Sequence, residues 1–360
     1  VRPAYSEFYS FKGGSGDGAD PYAGLINFNG TLYGTTYDGG ANDYGTVFSI
    51  TRSGTETLLH GFKGGSGDGA NPYAGLVNVK GRLYGTTYDG GAKNHGTVFS
   101  ITPSGTETVL YSFKGGSRDG ANPYAGLVNV KGTLYGTTHS GGANAGGTVF
   151  SITPSGTETV LHSFGGSGDG EYPFADLFNV SGMLYGTTMD GGAYGSGSYG
   201  SGTVFAITTS GTETVLHSFG SSGDGANPYA GLVNVKGTFY GTTLSGGANN
   251  EGTVFSITPS GTEAVLHSFG GSGDAYSPYA GLVNAKGILY GTTFYGGANG
   301  QGTVFSITLS GRETLLYSFQ GGSGGGYHPY AGLVSVKGTL YGTTYYGGAD
   351  GDGTVFSLSR

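Results

Sequence analysis

One motif constrains this chain more than anything else in it. Pro-Tyr-Ala-Gly-Leu begins at Pro21, Pro72, Pro123, Pro228, Pro278 and Pro329, and Pro173-Phe174-Ala175-Asp176-Leu177 is its variant. Each copy is followed by Tyr-Gly-Thr-Thr and then by Gly-Thr-Val-Phe. An apolar stretch comes next, ending at Phe62, Phe113, Phe164, Phe219, Phe269 and Phe319. The copies are 50 or 51 residues apart, with one interval of 55. A repeat of this length marks a solenoid, a propeller or an array, so 360 residues need not mean several domains.

The second repeat holds four short runs, 73–79, 82–87, 97–102 and 107–113, each rich in β-branched and aromatic residues and bounded by turn formers. No window keeps a helical period. The 80 glycines, far above ordinary usage, recur at fixed places between these runs, which argues against disorder or a fibre. In Thr97-Val98-Phe99-Ser100-Ile101, Phe99 and Ile101 face one way and Val98 the other. Leu76, Val77 and Val79 also occupy both faces. A sheet apolar on both sides needs a neighbour on each, which a ring of blades supplies; a parallel β-helix is the alternative. The chain ends decide between them. Residues 7–11 copy the fourth run alone, whereas 330–360 hold runs one to three and stop. Pairing the two ends removes two open sheet edges. The expected fold is therefore all-β: a seven-bladed propeller with four antiparallel strands per blade, closed by the N-terminal strand joining the last blade. It is one domain over 1–360, with blades near 21–62, 72–113, 123–164, 173–219, 228–269, 278–319, and 329–360 with 1–11.

The run of motifs from Pro-Tyr-Ala-Gly-Leu to Gly-Thr-Val-Phe-Ser-Ile resembles the bacterial GloVer-type tandem repeat over nearly the whole chain. The order of inner strand, Leu-Tyr-Gly strand and Gly-Gly turn is also similar to kelch repeats. The resemblance implies a propeller, exported to a secreted or cell-surface location. It implies no common activity.

By analogy with kelch-like blades, the Pro-Tyr-Ala-Gly-Leu run is innermost. Short turns at 79–81 and 102–106 then share one face, and the long loops at 114–123 and 139–147 share the other. Loops on a rigid scaffold are where binding groups sit, so the long-loop face is the expected site. Several candidate sets follow. Tyr22, Tyr73, Tyr124, Phe174, Tyr229, Tyr279 and Tyr330 begin the inner runs and form either an aromatic collar at the channel mouth or blade-to-blade packing. Asp17, Asp68, Asp119, Asp169, Asp224 and Asp274 stand in the Ser-Gly-Asp-Gly loops, with Gly325 at the seventh place. They are a weak candidate ring for calcium or sugar hydroxyls, and the favoured reading is that each accepts N–H groups of its own turn. Tyr9, His60, Tyr111, His162, His217, His267 and Tyr317 share one position of the fourth run. Alternation with Tyr and placement on separate blades argue against metal ligation there.

The repeats differ most in blades four, six and seven. Blade four carries Glu171-Tyr172 in place of Ala-Asn, Asp176 in place of Gly, and an insertion within 193–202. Blade six carries Tyr276-Ser277 and blade seven Tyr327-His328, while Arg118, His95 and His139 lie in other long loops. Blades four and seven are nearly opposite, so Glu171, Asp176 and His328 are the candidate acid–base set if the protein is an enzyme. Ordinary drift among duplicated blades is the favoured alternative.

Charged residues make up 11% of the chain and the net charge is −8, with no basic stripe, which excludes a nucleic-acid binder. No apolar run approaches the length of a membrane span. Absence of Cys rules out disulfides and thiolate metal sites. No cofactor motif is present. The expectation is a secreted, monomeric ligand-binding propeller, carbohydrate-binding and lectin-like, using the loop face for a glycan or other small molecule. A hydrolase or lyase with one central site, and a structural platform for protein partners, remain open alternatives.

Overall fold

The computed structural model describes residues 3–194, 201–271, 274–322 and 325–359. Gly-Thr-Val-Phe forms the third strand of each blade because its alternate side chains find two separate cores. Phe99 and Ile101 pack with Tyr33, Val47 and Phe62 of the preceding blade, whereas Val98 packs with Leu127, Leu134 and Phe150 of the following one. Seven such clusters lie between neighbouring blades, so the core is a ring of interfaces.

Each blade is a four-stranded antiparallel sheet; blade two runs Val77–Val79, Arg82–Thr87, Thr97–Ile101, Glu107–Ser112. The glycine of Tyr-Gly-Thr-Thr is required by packing. A Cβ on Gly85 would lie 2.7 Å from Phe99 Cζ and 2.9 Å from Leu76 Cδ2. Both threonines that follow have fixed duties. Thr36 Oγ1 lies 2.8 Å from Thr46 Oγ1 within the blade, and Thr35 Oγ1 donates to the Ala74 carbonyl of the next blade at 2.9 Å. Each fourth strand bulges once; in blade two the register shifts between Val98 and Phe99.

The ring closes as the repeat offset requires. Ala4–Ser10 pairs with Thr354–Ser359 and completes blade seven. Thr343 Oγ1 donates to the Ala23 carbonyl at 3.3 Å, and the Asp20 N–H to the Asp352 carbonyl at 3.0 Å, repeating across the seam the contacts made elsewhere along the chain. Among the described residues no helix is long and apolar enough to cross a membrane.

Two features depart from expectation. The innermost strand covers three residues, not seven: residues 73–76 are irregular and only Val77–Val79 pair. The Ala74 carbonyl is taken by a threonine hydroxyl of the neighbouring blade instead of a ladder partner. The long loops, in turn, carry a two-stranded ribbon that joins them, such as Gly69–Ala70 with Asp89–Gly90.

Candidate functional site: the aromatic loop face and the central channel

The irregular Tyr-Ala-Gly-Leu segments line the central channel, a cavity of about 430 Å³. Their glycines permit close approach of backbones around the ring: a Cβ on Gly75 would lie 2.9 Å from the Gly24 carbonyl oxygen. Above them the seven collar residues form an unbroken circle. Centroids of Tyr22 and Tyr73 are 4.8 Å apart, Tyr73 and Tyr124 4.4 Å, Tyr124 and Phe174 4.5 Å, and Phe174 and Tyr229 4.4 Å. Tyr229 to Tyr279 is 5.3 Å, Tyr279 to Tyr330 4.9 Å, and Tyr330 back to Tyr22 4.8 Å. Tyr229 and Tyr330 also meet edge-to-face at 5.9 Å, skipping Tyr279, so the collar narrows the mouth. The rings thus serve both as collar and as blade-to-blade packing. Burial raises the Tyr229, Tyr124 and Tyr330 hydroxyls above the ordinary phenol range, so they stay protonated donors.

Asp176 breaks the glycine ring. It opens onto the channel, and its Oδ1 accepts the Gly126 N–H at 2.5 Å. The surrounding wall pushes its carboxyl above the usual range, against the pull of that hydrogen bond.

The structure does not bring Glu171, Asp176 and His328 together. Glu171 stands opposite Asp190 in the ribbon of blade four, where burial and the Glu171 charge push Asp190 up. His328 stacks on Phe294 of blade six at 4.5 Å and 13°, and burial lowers its pKa. The cause is local. Residue 328 occupies a left-handed position shared by Asp20, Asn71, Asn122, Tyr172, Asn227 and Ser277, which ties each blade to the one before it. Asn71 Nδ2, for example, donates to the Tyr37 carbonyl at 3.1 Å. At two of the four positions that lack the amide, an aromatic stack takes its place: Tyr172 lies on His139 at 4.9 Å and 23°, as His328 lies on Phe294. Burial pushes His139 down to about 4, so it is neutral.

Tyr276 and Tyr327 each face a second tyrosine across their ribbons: Tyr276 pairs with Tyr295 and Tyr327 with Tyr346, ring centroids 5.5 and 5.6 Å apart. His328 touches Tyr295, Tyr327 and Tyr346. Tyr345 lies 4.0 Å from Tyr346 and 4.5 Å from Tyr22. The result is one aromatic surface running from the collar outward over blades six and seven. Tyr295 and Tyr346 are each 37% exposed. Sequence reasoning marked Tyr276, Tyr327 and His328 but missed Phe294, Tyr295, Tyr345 and Tyr346; at 295 and 346, tyrosine where other blades carry Asp or Ser was the available signal.

Arg118 is exposed at its loop tip. Of the insertion within 193–202, residues 195–200 lie outside the described residues; Tyr194 is exposed. The loop aspartates do not converge on one ring. Asp68 accepts the Lys63 N–H at 2.9 Å and the Gly69 N–H at 2.7 Å, and Asp17 and Asp119 repeat the arrangement. Asp169, Asp224 and Asp274 likewise accept the N–H of the next residue.

The sequence pattern of the Gloeobacter/Verrucomicrobia repeat matches residues 2–199 and 193–360. The chain belongs to that family. No curated protein matches this Gloeobacter/Verrucomicrobia repeat chain. Among solved structures it is similar to virginiamycin B lyase from Staphylococcus aureus, at 14% identity and TM-score 0.66, over 99% of this chain and 100% of that one. It is similar also to a streptogramin B lyase, at 14% identity and TM-score 0.65, over 99% and 98% of the two chains. At such identity the likeness is one of fold.

Proposed function

We propose that this repeat protein is a ligand-binding propeller whose loop face takes a carbohydrate on the aromatic surface of blades six and seven. The observation that carries this reading is that surface itself. It is continuous and partly exposed, most of its rings carry a hydroxyl, and its extension onto the ribbons is confined to one sector, whereas Tyr37, Tyr88 and His139 flank the collar elsewhere. Sugars stack their C–H faces on such rings and exchange hydrogen bonds with the rim. One sector means one site per chain, not seven equivalent ones. Glycan-array screening of the intact chain, followed by calorimetry on the best hit, tests it. Replacing Tyr295 or Tyr346 by Ala should weaken binding about tenfold, roughly 1.4 kcal/mol, in line with the worth of one aromatic contact. Failure of every neutral glycan to bind, or binding indifferent to both substitutions, overturns the reading.

A second reading rests on Asp176. A carboxyl whose affinity for protons is raised by a channel wall is suited to general acid–base work. The similar propellers include lyases, which lends this reading support from fold analogy only. Asp176→Gly restores the glycine of the other six blades and should abolish any turnover found, while leaving glycan binding at blades six and seven unchanged.

A further inference from the structure

Outside the channel, each junction between blades except the one at Gly325 gathers three side chains from separate places in the sequence. At one junction they are His162 on the fourth strand of blade three, Asp169 in the loop after it, and Glu213 at the start of the fourth strand of blade four. His217, Asp224 and Glu263 repeat this at the next junction. In both trios one donor atom from each residue lies within 4.8 Å of the others, and His Nε2 is 2.9 Å from Asp Oδ2. Glu213 Oε1 and Glu263 Oε1 are buried without any hydrogen-bond partner. Orphaned buried oxygens of this kind call for a cation, a proton or a water.

The chain carries its own comparison. At two other junctions tyrosine replaces the histidine: the Tyr9 hydroxyl donates to Asp17 and that of Tyr111 to Asp119, both at 2.8 Å. There a lysine acts on the junction glutamate, Lys12 on Glu56 and Lys114 on Glu158. Glu158 also has an orphan oxygen, so a buried glutamate alone does not mark the special junctions. What marks them is an imidazole nitrogen, loss of the lysine, whose place is taken by Gly165 and Gly220, and convergence with an orphan glutamate oxygen; the His267–Asp274–Glu313 junction shares the first two, with Gly270, but its three donors do not all come within 4.8 Å of one another and Glu313 has no orphan oxygen. The His60–Asp68–Glu107 trio keeps Lys63 in its cleft and Arg82 near Glu107, so resident cations already balance its carboxylates.

We propose that the His162–Asp169–Glu213 and His217–Asp224–Glu263 junctions each bind one divalent first-row transition ion of the zinc type. One imidazole nitrogen and two carboxylate oxygens match that class, whereas calcium and magnesium favour oxygen alone. Two carboxylates beside a neutral imidazole balance the double charge. With metal–ligand bonds of about 2.0 Å, a tetrahedral edge is about 3.3 Å, close to the His–Asp separation already present. The glutamate would close by at most about 1.5 Å, within reach of a rotamer change, and water would fill the fourth place. The ion would also give the orphan oxygens a partner.

The test compares the intact chain with His162→Tyr/His217→Tyr, a substitution that installs the residue the fold already uses at Tyr111. Metal-free protein is titrated with zinc sulfate against a chromophoric chelator, and cobalt(II) absorption reports the ligand field. The natural chain should take up two zinc ions at these junctions at micromolar free zinc, and the double variant should lose both while its metal-free melting temperature is unchanged. Should that variant fold poorly, Glu213→Gln/Glu263→Gln serves the same purpose. Tyr111→His with Lys114→Gly should add one further ion. No zinc uptake by the natural chain, or full uptake by the variants, overturns the proposal.

Discussion

Closure of the ring by residues 4–11 makes a quantitative demand on one side chain, Phe11. It follows the strand that completes blade seven, yet packs on blade one, with Leu25, Leu32, Phe48 and Ile50. It is fully buried, and its ring meets Phe48 edge-to-face at 5.1 Å. Phe164 makes the same contact in mid-chain, fully buried and 5.0 Å from Phe205. In a closed ring the two positions are equivalent, although one lies in the interior of the chain and the other near its start. Deleting a buried phenyl group costs about 3–5 kcal/mol, the lost transfer energy plus the cavity. With an unfolding entropy of about 2.1 cal/mol/K per residue, that loss lowers the melting temperature of a chain of this size by about 4–7 °C. Phe11→Ala and Phe164→Ala should therefore fall within about 1 kcal/mol of each other in urea denaturation followed by circular dichroism, with unchanged m-values. The argument fails if Phe164→Ala shows the full loss while Phe11→Ala behaves as the natural chain, because the N-terminal strand would then be a dispensable appendage.

Two further outcomes follow from single sites. Gly85→Ala should cost about 1–3 kcal/mol in the same assay, because its methyl would press on Phe99 and Leu76, whereas Gly116→Ala, with open space around its Cβ, should show only the cost of its left-handed backbone. At Asp20, burial together with Asp38, Asp352 and Asp43 pushes the carboxyl up to about 7. Folding thus favours its protonated form, so nothing is lost below the unfolded value near pH 3.9, and stability falls as pH rises through about 7. Asp20→Asn, which installs the amide of Asn71 and Asn122, should equal the natural chain near pH 4 and exceed it at pH 8. Allowing for solvent at this half-buried site, the gain is about 1 kcal/mol, measured as the difference between urea midpoints at the two pH values.

The architecture was legible because it rests on patterns local in sequence. Opposite-facing Val98 and Phe99 announce a sheet covered on both sides, and the offset of residues 7–11 from 330–360 announces closure. The inner strand was over-read for an equally local reason: Tyr73 and Leu76 suit a strand, but the Ala74 carbonyl is claimed by Thr35 of the neighbouring blade, a partner 39 residues away. The site depends on register, which no single repeat reveals. In the sequence His162 has no evident co-ligand because the other histidines lie on separate blades; the structure instead supplies carboxylates from the following loop and the next blade.

Register also changes the meaning of the differences among blades. Drift would alter positions one at a time. In the ribbons, however, Ala19 faces Asp38, Ala121 faces Ser140, and Ala226 faces Ser245, whereas Tyr276 faces Tyr295 and Tyr327 faces Tyr346. Both partners have changed together, and both changed pairs are adjacent. The junction position adds a stack in the same sector, where His328 meets Phe294 in place of the amide link of Asn71 and Asn122, and a second stack on the far side of the ring, where Tyr172 meets His139. A ring of duplicated blades that exchanges whole contacts in one sector has acquired an orientation there. In that sector the paired ribbon tyrosines Tyr295 and Tyr346 reach solvent, and an asymmetric ligand requires that coincidence.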